Sequence, residues 1–216
     1  MRNFGLNRNI PVVPAQTALL IIDVQNYTME DGGEYAGMDP GEIERKYGFF
    51  FREMRGRAIP NIQKLIAASR AAGVEVIYTV IASLTEDGRD LSLDYKISGL
   101  FCPKSSRDAQ VLAEVAPQGD EIVLTKTSSS VFISTNIHYV LGNLGIRQLI
   151  ITGALTDQCV DSAVRDACDL GYLVTLATDA CATQSRVRHE NSLANNAGYC
   201  RQITTAALLA EIAAEG

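Results

Sequence analysis

Between Thr17 and Val24 the chain runs TALLIIDV, an apolar stretch that fits a strand covered on both faces. Four further runs share that character: VEVIYTVI (74–81), EIVLTK (121–126), RQLIITG (147–153) and YLVTLAT (172–178). Helical patterns separate them. Pro60 opens NIQKLIAASRAAG, which closes at Gly73; STNIHYVLGNLG ends at Gly145, and DQCVDSAVRDACDLG at Gly171. TTAALLAEIAAE supplies a last helix. Strand and helix in steady alternation predict an α/β fold in three layers, a mainly parallel doubly wound sheet with helices on both faces. There is no repeat, low-complexity tract or linker, so one domain over 1–216 is expected. A long segment, about 27–59, separates the first strand from the Pro60 helix. It contains Phe49, Phe50 and Phe51, and it reads equally as a lid over a pocket or as an oligomer contact.

A net charge of −6 speaks against nucleic acid or an anionic membrane surface as partner. No apolar run has the length of a membrane span, and the N-terminal MRNFGLNRNIPVVP lacks the features of a secretion signal. Five cysteines, odd in number and without a CxxC pair, predict reduced thiols and a cytoplasmic protein. The two histidines, His138 and His189, read as helix-surface or packing residues.

In parallel sheets ligands bind beyond the carboxyl ends of the strands, so reactive residues at those ends matter most. Asp23 ends the first strand, Lys126 the third, and Cys159 follows the fourth in LIITGALTDQCV. One edge thus carries a carboxylate, a cation and a nucleophile. Thr156 or Asp157 is the expected N-cap of the helix after the fourth strand, with Val160, Ala163, Val164, Ala167 and Leu170 as its inward stripe. Cys159 then sits in its first turn, where free N–H groups favour a thiolate and offer an oxyanion site. Reference pKa values of about 3.9 for Asp and 8.5 for Cys put proton transfer at roughly 6 kcal/mol uphill. Burial of Asp23 and the charge of Lys126 are the means of closing that gap.

At these residues the chain resembles the isochorismatase-like cysteine hydrolases. TALLIIDVQN, EIVLTKTSSSVF, LIITGALTDQCVDSAVRDACDLGY and TDACAT carry the resemblance, which runs from about residue 15 to the C-terminus. It implies an Asp–Lys–Cys triad at Asp23, Lys126 and Cys159. It also implies a cis peptide between Ala154 and Leu155, and an oxyanion hole made by the N–H groups of Leu155 and Cys159. Members that bind a metal do so through histidines after the first strand, and none precedes His138 here; no metal and no cofactor are therefore expected. Isochorismatases proper lack the cysteine. The remaining branch cleaves C–N bonds of carbamoyl and ureido compounds, so a small-molecule amide substrate and a homo-oligomer, dimer or tetramer, are implied. A nicotinamidase-type enzyme, another small-amide hydrolase and a silent binding member of the fold stay open as alternatives.

Gln25, Asn26 and Tyr35 are candidate substrate contacts, with turn packing the other reading for Gln25 and Asn26. Tyr199 and Arg201 are candidates for the pocket or for a neighbouring subunit. Arg201, Arg89, Arg55 and Lys96 are the cations available to a substrate carboxylate; a neutral substrate would use Gln25, Asn26 or a tyrosine.

Overall fold

The computed structural model describes residues 4–29 and 31–215. Met1, Arg2 and Asn3 of the N-terminal stretch lie outside the described residues. Six strands form one sheet: β1 (Thr17–Ile22), β2 (Glu75–Ile81), β3 (Ile122–Lys126), β4 (Gln148–Ala154), β5 (Leu173–Ala182) and β6 (Arg201–Ile203). All neighbours pair in parallel, in the order β3-β2-β1-β4-β5-β6. β1 shows why this chain chooses such a sheet. Leu19 and Ile21 pack into one apolar cluster and Ala18, Leu20 and Ile22 into the other, so both faces of the strand are buried.

The helices are α1 (Pro40–Glu53), α2 (Ile59–Ala72), α3 (Leu93–Ser98), α4 (Val131–Ser134), α5 (Ile137–Asn143), α6 (Cys159–Asp169), α7 (Arg186–Asn196) and α8 (Thr205–Glu215). α1, α2 and α8 cover one face; α3, α4, α5 and α6 contribute to the cluster on the other. Strand order reverses at β1 and β4, whose carboxyl ends flank the crevice where such sheets bind ligands.

Several expectations are corrected. The first strand stops at Ile22 rather than Val24, because Asp23 turns into a left-handed backbone, φ +53°. The helix expected over 134–145 is shorter, α5, and a separate four-residue helix, α4, precedes it. The strands β6 and the helices α1, α3 and α7 were not anticipated. Leu170 does not join the inward stripe of α6: it follows the helix as its C-cap and is 43% exposed. The N-cap of α6 is Gln158, with no side-chain bond, since Asp157 accepts from Thr183 and Arg188 and Thr156 pairs with His189.

Phe50 and Phe51 of the aromatic run are buried within the same chain, and Phe49 is half-buried. Phe50, Phe51 and Met54 belong to the core beside Tyr35, and the Phe51 ring meets Tyr35 edge-on at 5.3 Å. α1 opens on an Asp39 cap, whose side chain accepts from Glu42 N at 3.0 Å. It passes into α2 through a π turn, Met54–Ala58, in which the Ile59 N–H reaches the Met54 carbonyl. Pro60 follows directly; lacking an N–H, it suits the first positions of α2.

Candidate active site

Asp23, Lys126 and Cys159 meet at the crevice. Lys126 is fully buried, with Nζ 2.8 Å from Asp23 Oδ2. The same Nζ donates to Tyr95 Oη at 3.1 Å, to the Ser128 carbonyl at 3.0 Å and to Cys159 Sγ at 3.3 Å. An ammonium has three protons, so the four acceptors around it share them. Asp23 Oδ2, 2.8 Å from Nζ, makes the shortest of these contacts and takes the charge of Lys126 in a buried ion pair. Its other oxygen, Oδ1, accepts from Thr79 Oγ1 at 2.8 Å, which fixes the carboxylate's orientation.

Cys159 is the first residue of α6 and only 6% exposed. Burial pushes its thiol up to about 11, against the lowering effect of Lys126, and the charge of Asp23 adds to the rise. The expected bias of the helix N-terminus towards a thiolate is thus outweighed by desolvation. Burial also opposes the charge on Lys126, but Asp23 first, then Cys159 and Tyr95, reverse this and hold the ammonium above its ordinary value. Burial thus favours the neutral thiol beside the Lys–Asp ion pair.

The turn from β4 into α6 has the cis peptide Ala154–Leu155. Within it, Thr156 N donates to the Ala182 carbonyl, and Gln158 N and Val160 N both donate to the Leu155 carbonyl. These internal bonds leave out the Leu155 and Cys159 N–H groups, the two expected to hold an oxyanion. Leu155 and Cys159 both line the cavity.

That cavity, about 600 Å³, also takes in Asp23, Tyr95 and Gln158, a size within the range for small-molecule sites. Tyr35 lines it as expected, together with Tyr27, Glu34, Tyr47 and Phe50 from the 27–59 segment. Four other candidates do not. The Gln25 amide is spent on the Ile81 backbone and the Asp108 carbonyl, tying β2 to the 3₁₀ turn Arg107–Ala109. Asn26 Nδ2 donates to the Arg107 carbonyl. The Tyr199 ring lies under Arg165, 4.7 Å from its guanidinium. Arg201 is buried in a two-pronged pair with Glu211 and a bond to Thr175, so its charge belongs to the packing of β6 against α8. Sequence reading missed Tyr95, Glu34 and Thr79: the first two lie in stretches without a strand or helix pattern, and Thr79 is one β-branched residue among others in β2.

Among the described residues no group of three or more His, Cys, Asp or Glu is placed to hold a metal ion, and no helix is long and apolar enough to cross a membrane.

Comparison with known proteins places this geometry. The model of the isochorismatase domain matches residues 17–207. A ureidoacrylate amidohydrolase, RutB, of Rhizobium rhizogenes is 33% identical over 187 residues, covering 79% of this chain and 72% of that protein. Among solved structures, a cysteine hydrolase from Pseudomonas syringae pv. phaseolicola superposes with a TM-score of 0.81 at 24% identity, covering 96% of this chain and 97% of the other. N-carbamoylsarcosine amidase from Thermoplasma acidophilum gives 0.68 at 21% identity, covering 88% and 96%. These two likenesses establish the fold.

Proposed function

Because the chain belongs to the isochorismatase-domain family, we propose that it is an amidohydrolase cleaving a C–N bond of a small ureido or carbamoyl compound through a thioester on Cys159. The observation that carries this reading is the buried Asp23 Oδ2, ion-paired with the Lys126 ammonium that also touches Cys159 Sγ. The 33% identical ureidoacrylate amidohydrolase supports the substrate class.

In this mechanism the substrate carbonyl enters with its oxygen at the Leu155 and Cys159 N–H groups. Sγ attacks the carbon while its proton passes to Asp23 Oδ2. A thiol at about 11 makes that transfer concerted with attack. Lys126 keeps its proton and balances the charge as it moves. Asp23 then protonates the departing nitrogen, the C–N bond breaks, and an S-acyl enzyme remains. Water, deprotonated by Asp23, attacks the thioester and frees Cys159. No step uses a metal.

The 27–59 segment, with Tyr27, Tyr35, Tyr47 and Phe50 on the cavity, acts here as its cover, within one domain over 1–216. Five free cysteines favour a reducing, cytoplasmic setting. A homo-oligomer rests on the family resemblance alone. The test is ammonia release from ureidoacrylate, N-carbamoyl amino acids, biuret, triuret and nicotinamide under equal conditions, with rapid quench and mass spectrometry of Cys159. Turnover of a ureido compound with an S-acyl adduct is expected. Highest kcat/KM on nicotinamide, or turnover by Cys159→Ala, would refute it.

A further inference from the structure

We infer that the substrate is a ureido compound without a carboxylate, whose far end presents N–H donors to the side chain of Glu34. This rests on the amidohydrolase reading and sharpens its substrate class.

The charges that line the cavity are all negative: Asp23, Glu34 and Asp94. Among its described lining residues there is no Arg, Lys or His. Lys126 stands just behind, with its protons shared among Asp23, Tyr95, Ser128 and Cys159. The four cations available in sequence to a substrate carboxylate are engaged elsewhere. Arg201 pairs with Glu211, Arg89 with Asp87 and Arg55 with Glu114, while Lys96 donates to the Arg89 carbonyl. A carboxylate drawn into this cavity would be desolvated opposite like charge, which is the arrangement that excludes a ligand. A neutral amide N–H or an ammonium meets acceptors instead.

Glu34 is set there by its backbone. It lies in the 3₁₀ turn Gly33–Tyr35, pressed against the chain that leaves Asp23. A Cβ on Gly32 would fall 2.2 Å from the Asn26 and Tyr27 carbonyl oxygens, so only glycine permits that approach. Gly33 N donates to Asp108 Oδ2 at 3.0 Å, and the buried Tyr35 ring packs on Tyr47 and Phe51 of α1. Among the described residues Glu34 has no ion-pair partner, although it is half-buried. Burial pushes its carboxyl up to about 7; Tyr35 opposes and the Asp23 charge adds. A donor-bearing ligand would relieve that cost. Within the cavity, then, Cys159 and Asp23 Oδ2 meet the scissile group; Glu34 is a specificity-determining residue for the rest of the substrate.

Two probes share one ureido group and one chain length: 4-ureidobutylamine and 4-ureidobutanoate. The wild-type enzyme is expected to favour the amine at least tenfold in kcat/KM. Glu34→Gln should remove most of that preference through KM, and Glu34→Lys should reverse it. Equal or better use of the acid by the wild type overturns the inference, as does a ratio unmoved by both substitutions. Binding of the same pair to Cys159→Ala, followed by calorimetry, separates the two readings. Tighter binding of the amine, with no ammonia released by the wild type from either probe or from the ureido panel, leaves the pocket preference standing and refutes the amidohydrolase reading. Tighter binding of the acid, or no binding of either, refutes the preference itself.

Discussion

Gly153 in β4 leaves no room for a side chain against Ile22 in β1: a Cβ there would lie 2.0 Å from the Ile22 carbonyl oxygen and 2.7 Å from its nitrogen. The next residue along one strand is Asp23, and two along the other is Leu155, so this contact sets the width of the crevice. Gly153 also holds φ +115°, which L side chains rarely adopt. Gly153→Ala combines backbone strain with overpacking, together about 2–5 kcal/mol. The expected result is a fall in Tm of roughly 5–15 °C for a chain of this size, with loss of activity. A normal Tm by calorimetry would show that the strands separate freely.

Tyr95 shares the Lys126 ammonium with Cys159, its hydroxyl 3.1 Å from Nζ and 3.9 Å from Sγ. It acts through Lys126 as a positioning residue. Tyr95→Phe keeps the ring and removes one charge-assisted bond, about 1.5–3 kcal/mol. A roughly tenfold to hundredfold lower kcat with KM nearly unchanged is expected from steady-state kinetics. An unchanged kcat would leave Tyr95 a packing residue only.

Much of this arrangement is legible in the sequence. The strands β1 to β4 were located within two residues: both faces of the inner strands β1, β2 and β4 are buried, so the apolar run marks them, and the edge strand β3 shows as the short apolar run before Lys126. Asp23, Lys126 and Cys159 were found because polar residues at the ends of such runs stand out. The rest is carried by weaker patterns. α1 buries only Gly48, Phe50 and Phe51 within a charged run, and α7 only Ser192 and Asn196, so neither shows a broad apolar stripe. β6 has three residues and β5 runs on to Ala182 through Asp179, past the point where hydropathy ends the strand. Arg201 looked available because its partner, Glu211, lies on α8, and Gln25 because nothing local announces a bond to β2.

The Asp23–Lys126 pair is buried on both sides, 1% and 0% exposed. Removing one partner leaves an uncompensated charge, so Lys126→Met should cost about 3–5 kcal/mol. Adding Asp23→Asn to Lys126→Met should restore most of that stability, since no charge then remains to be compensated. Activity should be absent from both variants. Denaturant unfolding of the single and double variants checks this; equal stability of the two would mean that water reaches the pair.

The Cys159 thiol, pushed up to about 11, implies a definite pH profile for the free enzyme. Between pH 7 and 9.5 the thiolate fraction grows about tenfold per pH unit, and so should the rate at which iodoacetamide labels Cys159. Site-resolved mass spectrometry is needed, because Cys168, Cys181 and Cys200 are raised as well. A plateau near pH 7 would mean a resting thiolate–Lys126 pair, with Asp23 no longer the first proton acceptor.

Glu34 links the proposed specificity to stability. Its carboxyl is raised from 4.5 to about 7 by burial, so between those values the folded chain binds a proton that the unfolded chain has released. Stability then falls as pH rises through that window, and the loss is nearly complete about one unit above 7. The other ionisable groups that line the cavity are Asp23, Asp94, Tyr27, Tyr35, Tyr47, Tyr95 and Cys159, and of these Asp23 adds to the rise while Tyr35 opposes it. Glu34→Gln carries no ionisable group and escapes the penalty. Its Tm should approach that of the wild type near pH 5 and exceed it increasingly up to pH 8. Saturating 4-ureidobutylamine should narrow the difference at pH 8 by stabilising the wild type more than the variant, whereas 4-ureidobutanoate should not. A Tm difference independent of pH from 5 to 8 would show that solvent already stabilises the Glu34 charge, and the side chain would then have no unmet demand for a ligand donor.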